Sequence, residues 1–212
     1  MIIQGTETLT SLIHIIAESL LTPVIVFLII FLVVVILSLG SFINEAISRK
    51  PINTKEIEEL IRNISFSNPD EIKNFIKEAN LFNYQKDIMI KIADNYDIGP
   101  DARKALATNL IEEMELDLIK NTNISDILIR VAPILGLLGT LIPLGPGLAA
   151  LGSGDINTLA QSLIIAFDTT TLGLAIGGVA FLISKLRKQW YEKDLSTVEV
   201  ICEATLESLN KR

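Results

Sequence analysis

The chain has 212 residues, half of them apolar, a fifth charged, and a formal net charge of −7. The apolar and charged residues lie in separate stretches, which excludes a simple soluble globule. The acidic balance, with no basic cluster beyond Lys185, Arg187 and Lys188, argues against nucleic acid as a partner. One cysteine (Cys202) and one histidine (His14) exclude an internal disulfide and a zinc site built from those residues.

Residues 1–21 carry no basic group ahead of their apolar stretch, which speaks against a cleaved signal peptide. Leu9, Leu12, Ile13, Ile16 and Leu20 recur at helical spacing, with Glu7 and Glu18 off the stripe. Two readings fit: an amphipathic helix lying on the outer membrane surface, in contact with lipid, or an extension of the span that follows. Ser19 to Asn44 is 26 residues without a charge, and a bilayer span needs about 20. Thr22-Pro23, a capping residue followed by proline, places the start of a first transmembrane helix, residues 22–43. Its Val, Ile, Leu and Phe side chains suit a lipid-facing helix.

Residues 44–130 are polar and repeat helix signals. Asn53-Thr54 precedes Lys55–Ile64, Ser67-Asn68-Pro69 precedes Asp70–Ala79, and Gly99-Pro100 opens a long pattern from Asp101. Ile57, Leu60, Ile61 and Ile64 form one apolar face; Leu106, Leu110, Met114 and Leu118 form another, which Asp117 interrupts. No segment alternates as a strand. The apolar content predicts too small a core for independence, so these helices are expected to pack on one another or on neighbouring subunits.

Val131 to Gly154 has no charge, and Ile156 to Ser184 has one, Asp168. Two further spans follow, at 131–150 and 158–184, joined by a hairpin at 151–157. Pro143 and Pro146 are expected to kink or end the second span early. Residues 185–212 continue the third span as a helix. On it, Trp190 and Tyr191 mark the membrane interface or pack on another helix, and Cys202 is a small packed residue.

The basic residues set the expected orientation. Of the 18 Lys and Arg, twelve fall between Arg49 and Arg130 and six between Lys185 and Arg212. The positive-inside rule then puts residues 44–130 and the C-terminus in the cytoplasm, and the N-terminus and hairpin outside. The fold class expected is an all-α membrane protein with three transmembrane helices and an extended cytoplasmic helical region.

The second and third spans differ in kind from the first. Gly136, Gly139, Gly173 and Gly177 mark close helix packing, because small residues let helices approach where no hydrophobic force drives them together. Asp168 at mid-span costs roughly 2.5–3.5 kcal/mol on insertion scales unless it is paired, solvated or protonated. With the turn near Gly154, Thr140 and Asp168 each lie about 20 Å along their helices and so at similar depth. Thr171 shares a face with Asp168, whereas Thr170 lies about 200° away. Thr140, Asp168, Thr170 and Thr171 therefore form a polar layer whose members do not all face one narrow pore. A lone threonine in such a helix commonly bonds back to its own helix carbonyl.

Ala132-Pro133-Ile134-Leu135-Gly136-Leu137-Leu138-Gly139-Thr140 resembles the second-span signature of the MotA/TolQ/ExbB proton-channel proteins. Ala166 to Leu174, ending Thr170-Thr171-Leu172-Gly173-Leu174, resembles their third-span signature. The three-span layout resembles the ExbB/TolQ branch. The resemblance implies a homo-oligomer, a pentamer, in the inner membrane of a prokaryotic cell, enclosing a single-span ExbD/TolR-like partner. It implies an ion path along Thr140 and Thr170. The spans offer no Ser/His or Cys/His arrangement, no paired aspartates and no metal ligands, so neither an intramembrane enzyme nor a cofactor is expected. The family often carries a glutamate at the position of Ile165, where this chain departs from the pattern; Asp168, about one turn deeper on nearly the same face, is the candidate to replace it. The transported ion is a proton by resemblance, and sodium is open because the Thr/Asp layer offers several oxygens. The reading is an ion-motive-force-driven motor subunit; the alternative is a non-conducting membrane scaffold in which Asp168 pairs with a neighbouring subunit.

Overall fold

The computed structural model describes residues 4–49 and 52–210. The first three residues, the last two and residues 50–51 of the expected segments lie outside it, as does the side chain of Glu7. Among the described residues there are seven elements, all helices: α1 (Gln4–Ser19), α2 (Leu21–Ser48), α3 (Thr54–Ser65), α4 (Pro69–Glu78), α5 (Asn83–Asp94), α6 (Pro100–Gly152) and α7 (Ile156–Asn210). Three stretches of these residues are long and apolar enough to cross a membrane: Thr8–Ser48, Pro100–Gly152 and Ile156–Asn210. The chain divides into two compact units.

The apolar unit holds the described residues up to 44 and residues 123–185. A turn at Leu20 separates α1 from α2, so the helix α2 begins at Leu21, with Thr22 and Pro23 in its first turn. The backbone N–H of Val24 reaches the carbonyl of Leu20 at 3.0 Å; the proline needs no such partner, so it sits early in the helix without loss. The apolar stripe of α1 (Leu9, Leu12, Ile13, Ile16) stays exposed. In α2 one side is buried, through Val24, Leu28 and Val35, against Leu128 and Ala132 of α6 and Ile176 and Ala180 of α7. The other side, with Phe27, Ile30, Val33 and Leu37, is exposed.

Pro143 and Pro146 do not end the second span. The α6 helix runs through Pro133, Pro143 and Pro146 to Gly152. The expectation of an early end applied a rule from water; in an apolar helix, continuing is cheaper than exposing a frayed end, and neighbouring helices accommodate the missing donors. The helix stops instead at a Schellman-type turn, where the N–H of Asp155 returns to the carbonyl of Ala150 at 2.9 Å. Gly154 takes the positive φ of 82° that this turn requires. The Asp155 carboxylate then caps α7, accepting from the hydroxyl and backbone N–H of Thr158. Those bonds, the hydroxyl's first, hold its pKa below the usual carboxylate value.

The charged unit holds residues 45–122 and 186–212. Asn68 opens α4 with Pro69 behind it, and its N–H donates to Glu71 at 2.8 Å. The helix α5 lacks a polar start signal in the sequence: its N-cap is Phe82, whose N–H donates to Gln85 Oε1 at 3.0 Å. The helices of this region pack on one another, as expected: Leu60, Ile64, Ile72, Ile76, Met89 and Ile92 form a continuous buried cluster, which Val198, Ile201, Cys202 and Leu209 of α7 complete. The C-terminal segment supplies the apolar surface that residues 44–130 lack. Buried Arg103 ties the connection before α6 to the chain end, donating to the carbonyls of Asn95, Tyr96 and Ile98 and to Asn210 Oδ1.

Candidate functional site

The four glycines singled out in the sequence all lie where α6 and α7 meet. A Cβ built on Gly173 would stand 2.6 Å from the carbonyl oxygen of Ala132, and one on Gly136 3.0 Å from that of Thr169. On Gly139 it would stand 2.5 Å from the Thr169 side chain, and on Gly177 2.9 Å from the Pro133 ring. The backbones approach as closely as the absence of side chains permits, which is how dispersion holds helices together in lipid.

That contact fixes the height of the polar residues. Gly139 and Thr169 touch across it, so their neighbours Thr140 and Asp168 lie at the same level of the antiparallel pair. They do not form one cluster. The Thr140 hydroxyl bonds back to the carbonyl of Leu137 at 2.6 Å. Thr170 faces α6 and donates across the helix pair to the carbonyl of Gly136 at 3.2 Å. Thr171 is exposed. Asp168 is exposed and borders an open groove of about 250 Å³ with Ile25, Leu28 and Ile29 of α2 and Ile165, Thr169 and Leu172 of α7. The angular separation of Asp168 and Thr170 predicted by helix geometry is what places them on different neighbours.

Sequence reasoning passed over Thr169, the most buried threonine of the layer. It fills the notch left by Gly139 while its hydroxyl returns to the carbonyls of Ile165 and Ala166. The signal was the glycine itself: a notch on one helix requires a side chain from the other.

The charged unit carries a second polar centre. Arg49, at the end of α2, donates from Nη2 to Asp194 Oδ2 at 2.6 Å, and the Tyr84 hydroxyl donates to the same oxygen at 2.7 Å. Gln85 Nε2 reaches the Asp194 carbonyl at 3.1 Å. The guanidinium lies over the rings of Phe82, Trp190 and Tyr191 at 4.9–5.5 Å from their centroids. Alongside, Glu45 accepts from Arg187 Nε at 2.9 Å. Burial, followed by the Asp194 hydrogen bond, pushes the Tyr84 pKa far up. Burial, followed by the Glu45 carboxylate, raises that of Tyr191 to about 12. Trp190 and Tyr191 thus pack on other helices of this unit. Cys202 is buried, and burial, with Glu203 second, pushes its thiol up to about 11.

A search of curated proteins returned no match. A comparison with protein-family models matched residues 67–200, more than half of the chain and inclusive of both glycine-bearing spans, to the family described as MotA/TolQ/ExbB proton channel.

Proposed function

The chain belongs to the MotA/TolQ/ExbB proton channel family, and on that premise we propose that it is a subunit of an ion-motive-force-driven membrane motor. It is a multi-pass membrane protein with three apolar helices. The reading places it in the inner membrane of a prokaryote, as an ExbB/TolQ-like ring of five copies around a single-span ExbD/TolR-like helix. The charged unit then faces the cytoplasm, as the distribution of Lys and Arg favours.

One observation supports the ion path above the others: the only charge in the third span, Asp168, lies level with Thr140 yet has no hydrogen-bond or ion-pair partner among the described residues. Thr171 is exposed as well. A carboxylate left against acyl tails is costly, so an assembled ring covers this layer with other chains. Ions pass between the layer of Thr140, Asp168, Thr170 and Thr171 and a carboxylate of the partner helix. Thr140 and Thr170 spend their protons on helix carbonyls, which leaves their oxygen lone pairs to accept from a hydrated proton or to face sodium. One charge crossing 100 mV releases about 2.3 kcal/mol. Repeated charging and neutralisation of the partner carboxylate changes how it sits against this layer, and that drives movement of the partner against the ring. Protons are the proposed ion.

The test is ion flux in vesicles that hold the chain with its partner. Asp168→Asn and Thr140→Ala should each reduce flux; undiminished flux in both overturns the reading.

A further inference from the structure

The groove between α2 and α7 has a composition that selects an occupant. Its walls are aliphatic: Ile25, Leu28 and Ile29 from α2, Ile165 and Leu172 from α7. Its polar lining residues are Asp168 and Thr169, and the Thr169 hydroxyl, set against the Gly139 notch, already donates to the carbonyls of Ile165 and Ala166. Asp168 is the one lining residue that carries a charge, and its carboxylate needs a cation or a donor.

A second copy of the chain does not supply that cation from within the membrane. No Lys or Arg occurs in residues 1–48 or 131–184, and His14 of α1 already stands 3.3 Å from Glu18. A bare alkali ion wants several oxygens, and this groove offers at most one carboxylate and one hydroxyl among hydrocarbon side chains. A ligand with a cationic head and an apolar body satisfies both features. At about 250 Å³ the cavity exceeds the roughly 150 Å³ that holds a benzene molecule, so a single ring bearing a short aminoalkyl arm fits.

We propose that the α2/α7 groove is a binding site for small lipophilic ammonium ions, with the N–H groups on Asp168 and the hydrocarbon among Ile25, Leu28, Ile29 and Leu172. The proposal rests on the same membrane-embedded carboxylate as the ion path, and it makes such amines ligands that compete for it. A primary ammonium donates to Asp168 and pairs with its charge; a neutral alcohol of the same shape donates without charge. Losing a charged hydrogen bond of this kind weakens binding about tenfold or more.

The experiment uses the full chain in lipid nanodiscs, without partner and without an ion gradient. The probe is 2-(4-fluorophenyl)ethylamine, followed by fluorine NMR as it saturates; the control is 2-(4-fluorophenyl)ethanol. The expected result is saturable amine binding at least about tenfold tighter than that of the alcohol. Asp168→Asn should remove that difference. Ile29→Trp, on the exposed rim, should block the groove with Asp168 intact, whereas Ile30→Trp, outside the lining, should bind as the native chain does. Equal partitioning of amine and alcohol, or amine binding that survives both Asp168→Asn and Ile29→Trp in variants with native melting, overturns the proposal and leaves the groove to acyl chains. Because no flux is measured, absent binding leaves the channel reading standing, and absent flux in vesicles leaves this one standing.

Discussion

Two aspartates of the same helix meet opposite fates. Asp194, in the charged unit, is bound by Arg49 and Tyr84 on its side chain and by Gln85 on its carbonyl. Asp168, in the apolar unit, has none of this and borders aliphatic side chains. The first is matched inside the chain, so it belongs to the stability of the fold. The second is left to molecules outside the chain, so it belongs to what the fold does. A polar group that is expensive to bury and unpaired in its own chain marks function better than one that is buried and well served.

Stability measurements on single variants test that contrast. The largest effect is expected at Asp194→Asn, which removes the nearer of the two carboxylates on Arg49, whose side chain is only 12% exposed, and leaves it Glu45 at 3.4 Å; weakening such a pair costs up to about 3–5 kcal/mol. Denaturant unfolding of the detergent-solubilised chain would show it, and Asp168→Asn in the same assay should be neutral or stabilising. If the two variants lose stability alike, the contrast fails. Next comes the glycine contact. Gly173→Ala forces a Cβ against the carbonyl of Ala132 and should cost about 1–3 kcal/mol, whereas Gly145→Ala, with nothing within 4 Å, should leave the melting temperature unchanged. Tyr84→Phe deletes one of the two donors to Asp194 and should cost about 1–2 kcal/mol, read from the same unfolding curves.

The smallest effect is a pH dependence. Tyr191 binds its proton more tightly in the fold, with a pKa of about 12, than in an unfolded chain, where about 10 is usual. Its contribution is therefore complete below about pH 10 and is lost as pH rises toward about 12. Melting temperatures across that window should fall, and Tyr191→Phe should flatten the fall.

Local rules were legible in the sequence. The helix starts at Asn53, Asn68 and Gly99-Pro100 appear in the structure at α3, α4 and α6, because a start is settled by a few adjacent residues. Three long apolar helices followed from runs without charge. The helix α5 was missed because its start rests on a Phe82 backbone N–H and a glutamine, a weaker signal than Ser, Thr, Asp or Asn. The prolines misled because the rule applied to them assumes water as the competitor. Two consequences of pairing lay beyond reach: the Arg49–Asp194 bond joins residues far apart in the chain, and the core of residues 45–122 is completed by the last segment of α7. At the candidate site, the separate faces of Asp168 and Thr170 followed from helix geometry alone. Which helix each would face did not, since that depends on how three helices pack.

The burial of Cys202 has a practical consequence. Alkylating reagents attack the thiolate, and a thiol held at about 11 inside the core exposes almost none of it at neutral pH. The native chain is thus chemically silent to a maleimide without removing its one cysteine. A single cysteine placed at exposed Ser153, in the turn between α6 and α7, would report by its labelling in intact cells which side of the membrane that turn occupies.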